Sequence, residues 1–142
     1  MPRYLFDTNV LLDFAIPARP QHRPAVGLVK ALASEPASML VAASSLKDVY
    51  YVFNRHYGDE AVARSVISQM RDVFDVVALD ALAVDAALAS DEPDFEDGLV
   101  RAVAELALCD FIVSRDVKAF RTSSCSRVDA GQALRALHEE KS

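Results

Sequence analysis

The stretch Tyr4–Asp13, reading YLFDTNVLLD, constrains this chain more than any other. An apolar run ends in an aspartate, Thr8 and Asn9 follow, and apolar sequence resumes. A strand over Tyr4–Phe6 belongs in a core, where an unpaired carboxylate costs roughly several kcal/mol. In a parallel sheet, Asp7 emerges at the carboxyl end of that strand, the edge where open α/β sheets bind ligands. The same residues also suit the start of a helix near Val10, because Asp, Thr and Asn are all good N-caps. On this stretch alone, a site and a cap are equally good readings.

The remaining sequence alternates short apolar strands with helical spacing. Pro24 suits the first turn of a helix carrying Leu28, Leu32 and Ala33 and stopping near Glu35-Pro36. Met39–Ala42 reads as a strand, with Ser44-Ser45 capping a helix through Leu46, Val49, Tyr50 and Phe53. Gly58 ends that helix, and Asp59 caps another carrying Val62, Val66, Ile67 and Met70. Val73–Leu79 reads as a strand, Ala81–Ala89 as a helix, Asp94–Leu108 as a strong helix and Phe111–Ser114 as a strand. A polar loop over Ser123–Arg127, an edge strand at Val128 and a helix over Gly131–Glu140 close the order. This alternation implies a three-layer α/β/α fold, a central parallel sheet of four to five strands with helices on both faces. With 142 residues, 52% of them hydrophobic, one domain over residues 1–142 is expected.

Four aspartates then share one edge. Asp7 and Asp116 lie at or just past the carboxyl ends of strands. Asp48 is in the first turns of a helix leaving such an end. Asp97 starts the helix that feeds the strand before Asp116, and a helix antiparallel to its strand begins at the same edge. Each also has a local explanation: a capping box with Ser45, a favourable first-turn charge, or a turn. Two like charges about 4 Å apart repel by about 4 kcal/mol at an effective dielectric near 20, so a cluster of such acids calls for a cation. Oxygen ligands suit Mg²⁺ or Mn²⁺. Asp94, three residues before Asp97, shares its helix face and reads as a supporting acid, a partner for Arg115 or a solvated charge. Phe95 takes another face, and Leu99, Val103 and Leu106 have core spacing.

The net charge of −6 argues against a protein that coats nucleic acid by charge alone. It leaves room for a nucleic-acid enzyme with a metal centre. Arg115, Lys118 and Arg121 follow the predicted edge and read as phosphate holders or as a solvated basic turn. His22 and His56 lie away from that edge. Cys109 and Cys125 form no metal-binding pattern and read as reduced thiols. No apolar run approaches the roughly 18 residues of a membrane span, and Asp7 interrupts any signal-like start, so a cytoplasmic location is expected.

The segments DTNVLLD at 7–13, SSLKDVYYVF at 44–53, DFEDGLVRAVAEL at 94–106 and DFIVSRDVKAF at 110–120 together resemble the PIN domain family, the nuclease fold of VapC-type toxins. The DFED and KDVYY segments are similar to one subgroup of it. The resemblance implies an acidic pocket for one or two divalent ions, Mg²⁺ or Mn²⁺. Asp7, Asp48, Asp97 and Asp116 would then be the catalytic, metal-binding acids, with Thr8, Asn9 and Ser114 as polar pocket residues. The implied activity is hydrolysis of RNA by metal-activated water, and the implied partners are an antitoxin protein and a second copy of the chain. Asp48 stands where the family often has Glu, and Gly98 and Val100 stand where it commonly has Ala and Gln. A PIN-like module that binds RNA or protein without catalysis is the alternative. A dehalogenase-type phosphatase wants a second acid two residues after Asp7, and a receiver domain wants adjacent acids after its first strand; Thr8 and Asn9 supply neither.

Overall fold

The structure is a computed structural model and describes residues 1–141, so Ser142 of the expected domain lies outside the described residues. Strands β1 (Tyr4–Phe6), β2 (Met39–Ala42), β3 (Asp75–Val77), β4 (Phe111–Val113) and β5 (Ser126–Val128) form one parallel sheet in the order β3-β2-β1-β4-β5. The helices are α1 (Thr8–Ala15), α2 (His22–Leu32), α3 (Ala43–Tyr57), α4 (Glu60–Val73), α5 (Ala81–Ala89), α6 (Phe95–Leu106) and α7 (Ala130–Lys141).

The two-residue period of a strand sorts its side chains into two cores. Tyr4, Phe6, Met39, Val41 and Val113 point to one face, where they pack with residues of α1, α2, α3, α4 and α7. Leu5, Leu40, Ala42 and Ile112 point to the other, against α5, α6, Phe120, Cys109 and Cys125. The three central strands are therefore buried on both sides, as their continuous apolar runs require. Both cysteines are free and buried.

Several boundaries differ from the sequence expectation, each for a physical reason. Helix α1 starts at Thr8 rather than Val10, because Asp7 is itself the N-cap and accepts the Thr8 N–H. Helix α2 starts at His22 and ends at Leu32, placing Pro24 inside its first turn. Helix α3 leaves β2 directly at Ala43. Its N-cap is Ala42 and no side chain caps it, so the expected Ser44-Ser45 cap does not form. Ser45 is instead buried. The expected strand over Val73–Leu79 shrinks to Asp75–Val77, because α4 extends through Val73 and Phe74 serves as its C-cap. The polar loop expected over Ser123–Arg127 contributes Ser126 and Arg127 to β5, hydrogen-bonded along β4.

Helix α6 carries the main packing correction. Leu106, expected in the core, is 50% exposed, and Leu99 is only half-buried. The buried face is Gly98, Val100, Ala102, Val103 and Ala104. Small residues are needed there because α5 lies close: a Cβ on Gly98 would meet Ser90 Oγ at 3.3 Å and Ala87 at 3.4 Å. At the far end of α3, Gly58 adopts φ +65°, the left-handed conformation glycine takes without penalty.

Candidate functional site

Asp7 is held at the sheet edge by three hydrogen bonds. Its backbone N–H donates to the Val113 carbonyl at 3.0 Å, extending the β1–β4 ladder by one rung. Its Oδ1 accepts from the Thr8 N–H at 2.8 Å, and its Oδ2 accepts from the Ser114 hydroxyl at 3.0 Å. The cap and the site are thus the same carboxylate. With only 8% exposure, burial pushes its pKa up, the Ser114 and Thr8 donors pull it back, and Asp116 raises it further. Ser114 also accepts the Asp116 N–H at 3.1 Å, so one hydroxyl fixes two acids on two sides of the β1–β4 edge. The Asp116 carboxylate accepts the Lys118 N–H at 2.9 Å, closing a tight turn.

Helix α3 brings Asp48 to this edge and α6 brings Asp97. All four aspartates line one cavity of about 450 Å³ with Thr8, Asn9, Ser44 and Glu96. Tyr51 and Lys47 complete part of its rim. Among the described residues, no Lys or Arg forms an ion pair with Asp7, Asp48, Asp97 or Asp116. The consequence falls on Asp97, whose pKa is raised from 3.8 to about 6 by burial and then by repulsion from Asp7, Asp94, Asp116 and Glu92. Asp48 is exposed at the cavity mouth.

The donor set suits a hard divalent cation: carboxylates, with hydroxyl and amide oxygens beside them, and no thiol or imidazole. Among the described residues, no three acidic or His or Cys side chains stand close enough to enclose an ion. An ion here would need water to complete its shell, and Mg²⁺ commonly keeps several waters and uses one or two carboxylates directly. The residues present therefore fit such an ion, held by protein oxygens and water together.

Other expected site residues fall elsewhere. Asp94 is the N-cap of α6, accepting from the Glu96 and Asp97 N–H groups at 2.7 and 3.4 Å, and it does not pair with Arg115. Arg115 turns away from the acidic cavity onto Asp13, with Nε and Nη2 at 2.8 and 3.2 Å. Lys118 and Arg121 line a separate cavity with Asp91, Glu92, Pro93 and Thr122. His22 uses Nδ1 to contact the Asp13 carbonyl, and His56 packs edge-on against Tyr57.

Two acids with buried side chains escaped the sequence reading. Asp13 is 2% exposed and anchors both Arg115 and Arg19. Glu92 accepts the Phe120 N–H at 2.7 Å and lies 3.6 Å from Arg101. Phe120 has φ +66°, and this contact pins it there, fixing the loop that carries Asp116. The available signal was the placing of an acid within an apolar helical run, VLLDFA, and beside a proline in DEPDF.

Comparison with known proteins settles the family. Residues 3–118 match the sequence model of the family described as "PIN domain". The chain belongs to the PIN domain family. Solved PIN-fold structures agree at low identity. VapC20 of Mycobacterium tuberculosis, described as a sarcin-ricin-loop-cleaving toxin, is 18% identical with a TM-score of 0.64, over 80% of this chain and 89% of that one. A toxin–antitoxin complex from Klebsiella pneumoniae gives 22% identity and a TM-score of 0.66, over 89% of this chain and 97% of that one. VapBC2 of Rickettsia felis, bound to a promoter DNA fragment, gives 13% identity and a TM-score of 0.66, over 89% and 97%. No curated protein sequence matches this chain. Among the described residues, no helix is long and apolar enough to cross a membrane.

Proposed function

We propose that this PIN domain is an endoribonuclease dependent on Mg²⁺ or Mn²⁺ and acts as the toxin of a toxin–antitoxin pair. The observation that carries the reading is the four aspartates, drawn from four separate segments, that line one cavity and, among the described residues, form no ion pair with a Lys or Arg. Family membership supports the same chemistry. Asp7, Asp97, Asp116 and Asp48 would hold the ion, directly or through water. A bound divalent ion would lower the pKa of a coordinated water and stabilise charge on the attacked phosphate.

The chain's own residues do the rest. Ser114 holds the Asp7 carboxylate toward the cavity and restrains the Asp116 backbone. Thr8 and Asn9 present polar groups beside Asp7. Asp97, with its pKa raised to about 6, would have to give up a proton to hold an ion at pH values below that, which ties ion binding to proton release there. Lys118 and Arg121 would contact RNA phosphates beyond the centre, with Arg115 held on Asp13.

An antitoxin, by analogy with the complexes of the structural neighbours, would cover the acidic cavity. A homodimer and a cytoplasmic location complete the proposal. The test is cleavage of RNA with Mn²⁺ by wild type and by Asp7→Asn. Cleavage is expected to vanish in the variant while its circular dichroism is retained, and an unchanged rate refutes the assignment. The wide spacing of the acids favours one second reading, a domain that binds RNA or protein without cutting. Calorimetry decides between them, because the binding module would take up no Mn²⁺.

A further inference from the structure

A second, basic cavity is lined by sequence neighbours of residues that line the acidic one: Asp13 follows Leu12, and Arg115 precedes Asp116. It has a volume of about 390 Å³ and is lined by Asp13, Arg19, Pro20, Gln21 and Arg115. We propose that it binds a backbone phosphate of the RNA strand whose neighbouring linkage lies at the aspartates, a proposal that rests on the nuclease reading above.

The charge balance comes first. Arg115 already satisfies the buried Asp13 carboxylate with two hydrogen bonds, at 2.8 and 3.2 Å. Arg19 adds only a single contact at 3.4 Å. Two guanidinium groups thus converge on one carboxylate, leaving a surplus positive charge. The Asp13 contacts occupy one nitrogen of Arg19 and two of Arg115. The remaining N–H donors of this fork geometry suit phosphate oxygens. The Asp13 side chain is only 3% exposed beneath the two arginines, whose own side chains are partly open to solvent.

Helix α2 contributes independently. Gln21, its N-cap, forms part of the cavity wall and makes no side-chain cap bond, and the first turn holds no acid. No acid of the helix's own first turn offsets the partial positive charge of that end, a condition that favours anions. Arg19 itself is fixed in a turn, its N–H bonded to the Ile16 carbonyl at 3.1 Å and its carbonyl accepting from the His22 N–H at 3.1 Å.

Position links the two cavities. Arg115 sits between Ser114, which holds Asp7, and Asp116. On α1, Leu12 lines the acidic cavity and Asp13 the basic one. From Asp7 to Asp13 the helix rises about 9 Å, so one short stretch of strand can reach both cavities. A chain of net charge −6 needs such a local anchor to hold a polyanion beside carboxylates. The Lys118–Arg121 cavity is a weaker anchor, because Asp91 and Glu92 share it.

The test uses the full chain in EDTA with a 2′-O-methyl RNA oligonucleotide, read by fluorescence anisotropy against salt. Arg19→Gln is expected to weaken binding about tenfold, the loss of a charge-assisted contact. The slope of log K against log salt is expected to fall by about 0.7, the share of one single-strand phosphate. Arg19→Lys is expected to keep most of the slope, and urea titration of both variants excludes a folding defect. Unchanged affinity and slope in Arg19→Gln overturn the proposal, even if wild type cleaves RNA. If wild type binds no RNA but inorganic phosphate shifts the Arg19 Nε NMR signal, the strand proposal and the nuclease reading both fall and a free-anion site remains. Mn²⁺-dependent cleavage lost in Asp7→Asn but normal in Arg19→Gln would leave the nuclease reading standing and this one refuted.

Discussion

In the metal-free protein, Asp97→Asn is expected to raise stability while it abolishes cleavage. The Asp97 pKa rises from 3.8 to about 6, chiefly through burial and then through repulsion from Asp7, Asp94, Asp116 and Glu92. A rise of about two units corresponds to roughly 3 kcal/mol at full strength. Asp97 is only part-buried, so solvent and salt screening reduce the figure to about 1–2 kcal/mol. The sign follows from proton binding. A carboxyl group whose folded pKa exceeds its unfolded one binds its proton more tightly when folded, so stability is lost as pH climbs from about 4 to about 6 and stays lost above. Asparagine carries no charge to repel. The variant is therefore expected to be more stable by about 1–2 kcal/mol near pH 7.5, or roughly 3–6 °C in Tm for a domain of this size. Near pH 4, where the wild-type carboxyl is protonated in the folded state, most of the gap closes. Urea denaturation in EDTA at both pH values reads it directly. Saturating Mn²⁺ inverts the order, because ligand at about a hundred times its Kd adds about 2.7 kcal/mol to wild type and less to the variant. A variant equal to or weaker than wild type at pH 7.5 in EDTA refutes the reasoning, as does a gap of the same size at pH 4.

Mn²⁺ affinity itself is expected to fall as pH drops below about 6, the range in which Asp97 takes up its proton, and calorimetry in buffers of different ionisation heat would also register the proton released. Ser114→Ala removes the hydroxyl shared by Asp7 and Asp116; a stability loss of about 1–2 kcal/mol and a clear drop in Mn²⁺ affinity are expected, measured by urea titration and calorimetry. Gly58→Ala is expected to cost about 1 kcal/mol through its left-handed backbone alone, because nothing lies within 4 Å of the new Cβ, and RNA cleavage should be unaffected.

Much of the architecture was legible because it rests on local chemistry. The runs YLF, MLVA and FIV are apolar on both strand faces, which only a sheet covered on both sides tolerates. Gly58 and Asp59 mark the break between α3 and α4 just where the sequence places it. The common edge of Asp7, Asp48, Asp97 and Asp116 followed from parallel topology alone, since strand ends and returning helix starts must meet there. What stayed hidden depends on pairings distant in sequence. Asp13 reads as one more polar residue on α1, and only the docking of the Asp116 loop, 102 residues later, shows that it anchors Arg115. Leu106 has core spacing yet is exposed, because the close approach of α5 turns the small-residue face of α6 inward. Ser44 and Ser45 have cap chemistry, but β2 runs straight into α3 and leaves them no cap to fill.

The hydrogen bond between Ser114 and Asp7 joins residues 107 positions apart and has a consequence for the order of synthesis. Strand β1 is the first made, yet it sits at the centre of the sheet and waits for β4. At about 5–20 residues per second, roughly 5–20 s separate the appearance of Asp7 from that of Asp116. During that interval the chain gains Asp48 and then Asp97 before it has either the strand or the hydroxyl that sets Asp7 in place. The cavity shared by the four aspartates is therefore complete only late in synthesis, and a chain released before residue 114 lacks both the β4 partner and the hydroxyl that fix Asp7.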